Sequence, residues 1–256
     1  MPFAPLAVGP LAGLGLPGHF TAVIRHHALA ASLVTLAFAL LAYRMRAVDL
    51  SGAVAGAAVS FFLYCSSGPG GFATLGALFL VTIGSTRLER TRKRRLGIAE
   101  AQQGRNAGQI LANLLVAAVL SVAALYASVP RLMLGAIAAL AEAAADTASG
   151  EIGKALSDRV YLITNFRRVA VGTDGGITWI GTCSGIAAGV LVALVATWCE
   201  LIPPRWTAAA AGAAALGMFL DSFLGATLQR QGWLSNSGVN FASTIAAAAL
   251  AILLPA

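Results

Sequence analysis

Long runs of apolar residues, each long enough to cross a lipid bilayer, follow one another from residue 21 to the end of the chain. A membrane-spanning helix needs about 20 mostly apolar residues, and the pattern predicts eight of them. Periodicity separates their faces poorly, because helices that are apolar all round have no clear polar side. The alternating pattern of membrane strands is absent. The predicted spans are 21–43, 48–65, 71–87, 107–128, 131–150, 177–199, 205–223 and 237–255.

Composition supports the same fold class. Hydrophobic residues make up 58% of the chain and charged residues 11%, and the mean hydropathy is +0.81. These values indicate an all-α, polytopic transmembrane helix bundle rather than a soluble protein. We expect one transmembrane domain over residues 21–256. A signal peptide would have a basic residue before its apolar run, and the lead-in 1–20 has none.

The net charge of +7 at pH 7 could indicate a nucleic-acid partner, but its distribution indicates membrane orientation instead. Fourteen of the 17 lysines and arginines fall in four loops that eight spans would place on one side, namely 44–47, 87–106, 150–176 and 224–236. The positive-inside rule makes that side cytoplasmic and places both termini outside. We therefore expect an integral protein of a prokaryotic cell (inner) membrane, with the lipid bilayer as partner and no nucleic acid. The sequence does not specify an oligomeric state.

Short motifs recur in the two halves and predict a four-plus-four parallel repeat over 21–128 and 131–255. Ser51–Gly56 matches Ser184–Gly189, and Ile83–Thr86 matches Leu224–Thr227. Parallel repeats of this kind often place a site at their interface. The alternative is that small residues simply allow close helix packing.

Two apolar stretches end in the pattern Asp-[Ser/Thr]-x-x-Gly, at Asp146–Gly150 and Asp221–Gly225. Ionisable residues at membrane depth are costly and are therefore candidates for function. Carboxylates at helix ends can hold Mg²⁺ beside substrate phosphates, which predicts Asp146, Asp221 and Glu151 as catalytic and metal-binding residues. Glu151 lies about 140° around an ideal helix from Asp146, so both reach one ligand only if the helix breaks near Gly150. The alternative is acids solvated at helix ends.

Basic and polar residues on the same side predict phosphate binding. The turn 171–176 is rich in glycine, and its backbone N–H groups could hold an anion. Arg105, Gln109 and Asn113 are four residues apart, so they form one polar stripe that must find partners. Arg90 to Arg95 are predicted to contact anionic lipid. The predicted phosphate-binding residues are Arg87, Arg105, Gln109, Asn113, Lys154, Arg168, Gly172, Thr173, Gly175, Gly176 and Thr227.

From Val48 to the C-terminus, the order of these motifs resembles the integral membrane family that includes human transmembrane protein nineteen and the plant chloroplast phytyl-phosphate kinase. The family usually has Trp at the position of Ala148 and Ser or Asn at that of Asp174, which argues against a catalytic role for Asp174. The motifs that carry the resemblance are Gly104–Gln109 with Asn113, Ala145–Thr147 with Glu151–Gly153, Ile163-Thr164 with Gly172–Gly176, and Asp221-Ser222 with Gly225–Thr227.

The resemblance implies a prenyl monophosphate kinase. Such an enzyme transfers a phosphoryl group from a nucleoside triphosphate, with CTP expected, to an isoprenoid monophosphate in a Mg²⁺-dependent reaction. A small-solute or lipid transporter is the alternative and would fit the repeat and the glycine-rich helices. The polar motifs crowd one face of the predicted bundle, which favours the enzyme. A CDP-alcohol phosphotransferase would need a D-G-x-x-A-R motif, which the sequence lacks.

Overall fold

Long helices follow one another along the chain, with one small sheet between the fifth and the sixth. The computed structural model describes residues 17–99 and 103–254, so most of the predicted lead-in 1–20 lies outside the described residues. A 3-10 turn, Pro204–Trp206, precedes α7, and a π-helical turn, Gly225–Gln229, extends it. The helices are α1 (Gly18–Arg44), α2 (Leu50–Arg87), α3 (Arg90–Arg95), α4 (Ala107–Ala127), α5 (Pro130–Leu156), α6 (Trp179–Trp198), α7 (Thr207–Leu224) and α8 (Asn236–Leu253).

Helix α2 consists of two antiparallel legs joined at Gly68. A straight helix of its 38 residues would be about 57 Å long, yet Arg87 Nη2 donates a hydrogen bond to Met45 O, just before the helix begins, at 2.9 Å. Gly68 has φ 63° and ψ −159°, and Pro69 follows it. Seven helices of the described chain are long and apolar enough to span a membrane. With α2 folded back, they make eight crossings, and its legs are the predicted spans 48–65 and 71–87.

The connections rich in lysine and arginine gather at one end of the bundle, here called the basic end. The backbone of Arg105 pairs there with the segment before α2, through Arg105 N to Ala47 O and Asp49 N to Arg105 O, both at 3.0 Å. At the opposite end, Arg131 Nη1 donates to Ile252 O at 3.1 Å. This grouping of loops agrees with the predicted topology. The side of the membrane on which the basic end lies stays a prediction.

Helix α5 lies at the centre of the bundle. In its most apolar 18-residue window 78% of residues are buried, against 17% to 39% in the other spans. Helix α6 packs closely on it because Gly185 has no side chain: a Cβ there would collide with Ala145 O and with Met218 Sδ. Small residues at helix contacts allow such close approach in membranes. The most buried positions of the bundle are therefore on α5, the helix that carries Asp146.

Side chains cap the helices that begin at the basic end. Asp49 Oδ1 accepts a hydrogen bond from Gly52 N at 2.7 Å, and this backbone bond lowers the pKa of the Asp49 carboxyl below its ordinary value. Caps of this kind satisfy N–H groups that have no partner within the helix. The other capping residues are Asn106, which forms a capping box with Gln109, Thr178 and Ser235.

Two predicted helix ends are wrong. The span 131–150 was expected to end near Gly150, but α5 continues without a break to Leu156. One glycine costs a helix only about 1 kcal/mol, and the ion pair between Glu151 and Lys154 supports the turn beyond it. Helix α7 likewise continues past 223 into the π-helical turn. Asp146 and Asp221 therefore lie within helical segments and not at their ends.

A small antiparallel sheet lies in the loop between α5 and α6, where the sequence pattern predicted no strands. Its strands are β1 (Val160–Leu162), β2 (Arg168–Val169) and β3 (Gly176–Ile177), with β1 in the middle. Val160 pairs with Val169, and Tyr161 with Ile177. Strands this short leave too little alternation to be visible in a sequence. The sheet anchors both ends of the glycine-rich turn 171–176 at the basic end.

The two predicted repeats have corresponding helices that run in the same direction across the bundle. Eight alternating crossings give this result for any sequence, so the four-plus-four repeat stays a prediction.

Gly68→Ala should lower the melting temperature of the purified protein in detergent. The φ and ψ of Gly68 fall in a region that is essentially restricted to glycine, and forcing another residue into it costs about 1–3 kcal/mol. Gly76→Ala is the matched control, because Gly76 is helical in the second leg of α2 and a Cβ there would meet nothing within 4 Å. Equal melting temperatures for the two variants would contradict the reversal at Gly68.

Candidate active site

A polar cavity of about 180 Å³ opens at the basic end between α4, α5, α7, α8 and the glycine-rich turn. It brings together residues that are far apart in the sequence. Among the residues predicted to bind metal or phosphate, those that line it are Arg105, Gln109, Asn113, Asp146, Glu151, Lys154, Gly172, Thr173, Gly175, Gly176 and Asp221.

Asp146 of α5 and Asp221 of α7 face each other in this cavity. Their carboxyl groups are within hydrogen-bonding range of each other, and Ser243 Oγ of α8 donates to Asp221 Oδ2 at 3.2 Å. Lys154 and Arg105 are positively charged residues that attract the Asp146 carboxylate electrostatically. Two facing carboxylates are stable when a cation or a shared proton lies between them. The pair could therefore hold a cation.

The donor set fits Mg²⁺ better than a transition metal. Within residues 17–99 and 103–254, no group of three or more His, Cys, Asp or Glu residues could hold a metal ion by protein ligands alone. Mg²⁺ usually takes one or two carboxylates and completes its shell with water and substrate phosphate. Asp146 and Asp221 supply two carboxylates at an open cavity, so the residues present are compatible with that ion.

Glu151 lies beside the aspartates, but both of its oxygens are engaged by lysines. Oε2 is 2.7 Å from Lys93 Nζ, and Oε1 is 3.3 Å from Lys154 Nζ. A carboxylate neutralised twice is a poor additional ligand for a cation. This pairing favours a structural role for Glu151 over the predicted role as a catalytic metal ligand.

Lys93 was not recognised as a site residue from the sequence. Its side chain is 1% exposed, and its Nζ also donates to Ser85 O at 3.0 Å and Thr86 O at 2.8 Å. The predicted lipid contact is therefore wrong for Lys93. Arg92, in the same basic run, donates to Ala155 O and forms a 2.5 Å ion pair with Asp158. Nothing in a run of basic residues distinguishes a buried lysine from its exposed neighbours.

Glu142 is a second residue of the site that was not predicted from the sequence. It is 1% exposed and lies one turn before Asp146 on α5. Its Oε1 has no hydrogen-bond partner in the described part of the chain. A signal was available, because Glu142 is an acid inside an apolar stretch and lies four residues from Asp146, on the same helix face.

The glycine-rich turn closes one side of the cavity. Gly172 and Gly175 have positive φ angles of 88° and 73°. A side chain at Gly175 would collide with the backbone of Ala226 in the π-helical turn. Thr173 Oγ1 donates to the carbonyl of Ala170, just before the turn, at 2.8 Å. Glycine at position 175 thus allows the turn to pack against the π-helical turn. The backbone of the turn then lines the same cavity as Asp221. Asp174 also lines the cavity.

The polar stripe of α4 forms the opposite wall. Asn113 Nδ2 donates to Gln109 O at 2.7 Å, and Asn240 Nδ2 of α8 donates to Asn113 Oδ1 at 3.2 Å. Asn113 therefore links α4 to α8 at the wall of the cavity. The segment around α8 adds further lining residues that were not predicted from the sequence, namely Gln229, Asn236, Ser237 and Asn240.

Three predicted phosphate-binding residues lie outside this cavity. Arg168 Nη2 donates to Asp158 O at 3.4 Å from the exposed strand β2. Thr227 Oγ1 donates to Phe223 O at 2.7 Å, within its own helical segment. Arg87 lines a separate, smaller cavity.

Lys93→Met should lower the free energy of unfolding by about 3 kcal/mol, because it removes the buried partner of Glu151. Lys93→Met combined with Glu151→Gln should cost less than the sum of the two single changes, since residues in one ion-pair network couple. Unfolding in detergent, followed by circular dichroism, measures these differences. Arg95→Gln, at an exposed position, is the control and should change little. Additive effects would exclude the buried pair.

Comparison with known proteins gives the chain a family. The profile described as "Integral membrane protein DUF92" matches residues 33–248. The uncharacterized membrane protein sll0875 of Synechocystis is 33% identical over 195 residues, which cover 74% of this chain and 76% of that protein. Uncharacterized membrane protein MJ0933 of Methanocaldococcus jannaschii is 28% identical over 222 residues, covering 87% of this chain and 92% of the relative.

A plant relative also matches over most of the chain. Protein VTE6, chloroplastic, of Arabidopsis thaliana is 29% identical over 216 residues, which cover 81% of this chain but 65% of that protein. No solved structure matches. The match of the family profile over most of the chain confirms the resemblance inferred from the motifs: the chain belongs to the integral membrane protein family DUF92.

Proposed function

We propose that the protein is a membrane-embedded prenyl monophosphate kinase that uses a nucleoside triphosphate, preferentially CTP, to make a prenyl diphosphate. The observation that carries this proposal is the pairing of Asp146 and Asp221 beside Lys154 and Arg105 in one cavity at the basic end. The similarity to Protein VTE6 supports it, together with the resemblance to a family that includes the plant chloroplast phytyl-phosphate kinase.

Phosphoryl transfer depends mainly on positioning and on neutralising phosphate charge. Mg²⁺, held by Asp146 and Asp221, would supply positive charge to the phosphates when bound. Lys154 and Arg105 would bind phosphate oxygens from the same cavity, since Arg provides forked donors and Lys a compact charge. Backbone N–H groups of the turn 172–176 would orient the phosphate further. The chain thus provides carboxylates for the metal and cations for the transferred group.

A prenyl phosphate suits the position of the cavity. Phe223 of α7 and Phe241 of α8 are exposed apolar side chains on the helices that also carry Asp221 and Asn240. A prenyl tail could stay in the bilayer along these helices while its phosphate enters the polar cavity. The positive-inside rule would place this end in the cytoplasm, where nucleoside triphosphates are available.

Transport of a small solute is the second candidate, and one observation favours it. Glu142 lies one turn beyond Asp146, further from the basic end, and is fully buried. Buried acids in membranes often mark ion pathways. Within the described residues, however, the polar cavity opens at the basic end, which favours an enzyme.

The kinase is tested with purified protein, farnesyl, geranylgeranyl or phytyl monophosphate, and labelled CTP or ATP. We expect diphosphate formation that requires Mg²⁺ and is faster with CTP. If no pair of substrates gives diphosphate while the protein binds a solute, the transporter is the better assignment.

Asp146→Asn and Asp221→Asn should each reduce the turnover number by at least about 10³-fold, because each removes a charge that the metal needs. Both variants should keep the melting temperature of the wild-type protein or exceed it, since a buried carboxylate is removed. Asp158→Asn is the matched control, with the original side chain 83% exposed. Wild-type activity in either site variant would refute the metal assignment.

A further inference from the structure

A second cavity of about 40 Å³ lies at the basic end and shares Arg105 with the polar cavity. Its wall comes from segments 45–47, 82–87 and 104–105, together with Arg90. We propose that this cavity binds the phosphoryl group of a phosphate ester. Its assignment to a kinase substrate rests on the proposed function, whereas binding of the group itself does not.

Charge is the first reason. Arg46, Arg87, Arg90 and Arg105 line the cavity, and none of its described lining residues is acidic. Arg105 also acts on Asp146 in the neighbouring cavity. Four arginines around one small space repel one another, and an oxyanion held among them would offset that repulsion. Arginine binds phosphate in a forked geometry that suits this role.

Two buried hydroxyl groups are the second reason, and they are independent of charge. Thr82 Oγ1 and Thr86 Oγ1 have no hydrogen-bond partner within the part of the chain that the structure describes. Both residues line the cavity, one turn apart on the second leg of α2. Thr74 on the same leg donates to Gly70 O at 3.0 Å, as helical threonines commonly do. Buried hydroxyls without partners are costly, and phosphoryl oxygens would supply acceptors for both.

The third reason is the size and the fixed shape of the cavity. The cavity, of about 40 Å³, is much smaller than the polar cavity of about 180 Å³, which suits a phosphoryl group better than a whole nucleotide. Gly104 has φ 87°, and a Cβ there would lie 2.6 Å from Ala47 C and from Val48 N. Arg46 also has a positive φ, of 55°. At Arg46, which is not a glycine, this angle is unfavourable, and such angles persist where the surrounding structure holds them, often at binding sites.

The position beside Arg105 gives the site a role in the proposed reaction. A kinase must hold two phosphate-bearing substrates next to each other, and Arg105 contributes to both cavities. The phosphoryl group could belong to the nucleotide, to the prenyl monophosphate or to an acidic lipid headgroup. All three sources carry a phosphoryl group, and the experiment below distinguishes between them.

The test compares the full chain with a Thr82→Val/Thr86→Val variant in nanodiscs of neutral phosphatidylcholine with EDTA. Isothermal titration with inorganic phosphate should show an affinity about tenfold or more weaker in the variant, because two hydrogen bonds to a charged group are lost. Without phosphate, its melting temperature should equal or exceed that of the wild-type protein, since two unpaired hydroxyls are removed. Arg87→Gln should weaken binding similarly. Arg95→Gln removes the same charge at an exposed position and should bind as the wild-type protein does.

Equal phosphate affinity in the wild-type, Thr82→Val/Thr86→Val and Arg87→Gln proteins would overturn the site. Its natural occupant is the probe whose affinity falls in the double variant: CTP, farnesyl monophosphate, or phosphatidylglycerol added to the nanodiscs. The proposed kinase function is tested independently of this phosphate site. If the wild-type protein makes no diphosphate yet binds phosphate through Thr82 and Thr86, the site stands without the kinase.

Discussion

Buried carboxyl groups at membrane depth are the constraint on which the rest of this structure depends. Glu142 and Asp146 lie on α5, and an acid that faced lipid there would cost several kcal/mol. The bundle surrounds α5, so that 78% of its most apolar window is buried, against 33% for the segment that carries Asp221. The central position of α5 thus keeps both of its acids away from lipid.

The small residues of the chain follow from the same constraint. A Cβ at Gly217 of α7 would lie 2.6 Å from Glu142 Cγ, and one at Gly185 of α6 would collide with Ala145 O, next to Asp146. Helices can surround a buried acid tightly only where they lack side chains of their own. What looks in the sequence like general glycine and alanine richness is, at these positions, a requirement of the site.

The sequence was informative wherever a property is local. Hydropathy predicted the crossings, including both legs of α2, and charge predicted which loops share an end. Most of the residues expected at one site line one cavity, because they lie at the same end of their helices. The wrong or missing predictions concern contacts between residues that are far apart in the sequence. Only the packing of the helices shows that Lys93 is buried against Glu151 and that Gly150 does not end α5. Glu142 was missed although a local rule, an acid in an apolar stretch, would have found it.

The unbroken course of α5 through Gly150 is what gives the site its order of charges. Glu142, Asp146, Gly150 and Lys154 are four residues apart, so in one continuous helix they form a single ridge. Lys154 lies about 12 Å nearer the basic end than Asp146, so a phosphate entering there meets this lysine before it reaches Asp146, as in electrostatic steering. At Gly150, which also lines the cavity, a Cβ would meet nothing within 4 Å. The glycine that was expected to break the helix instead leaves space along this ridge, between the acid and the lysine.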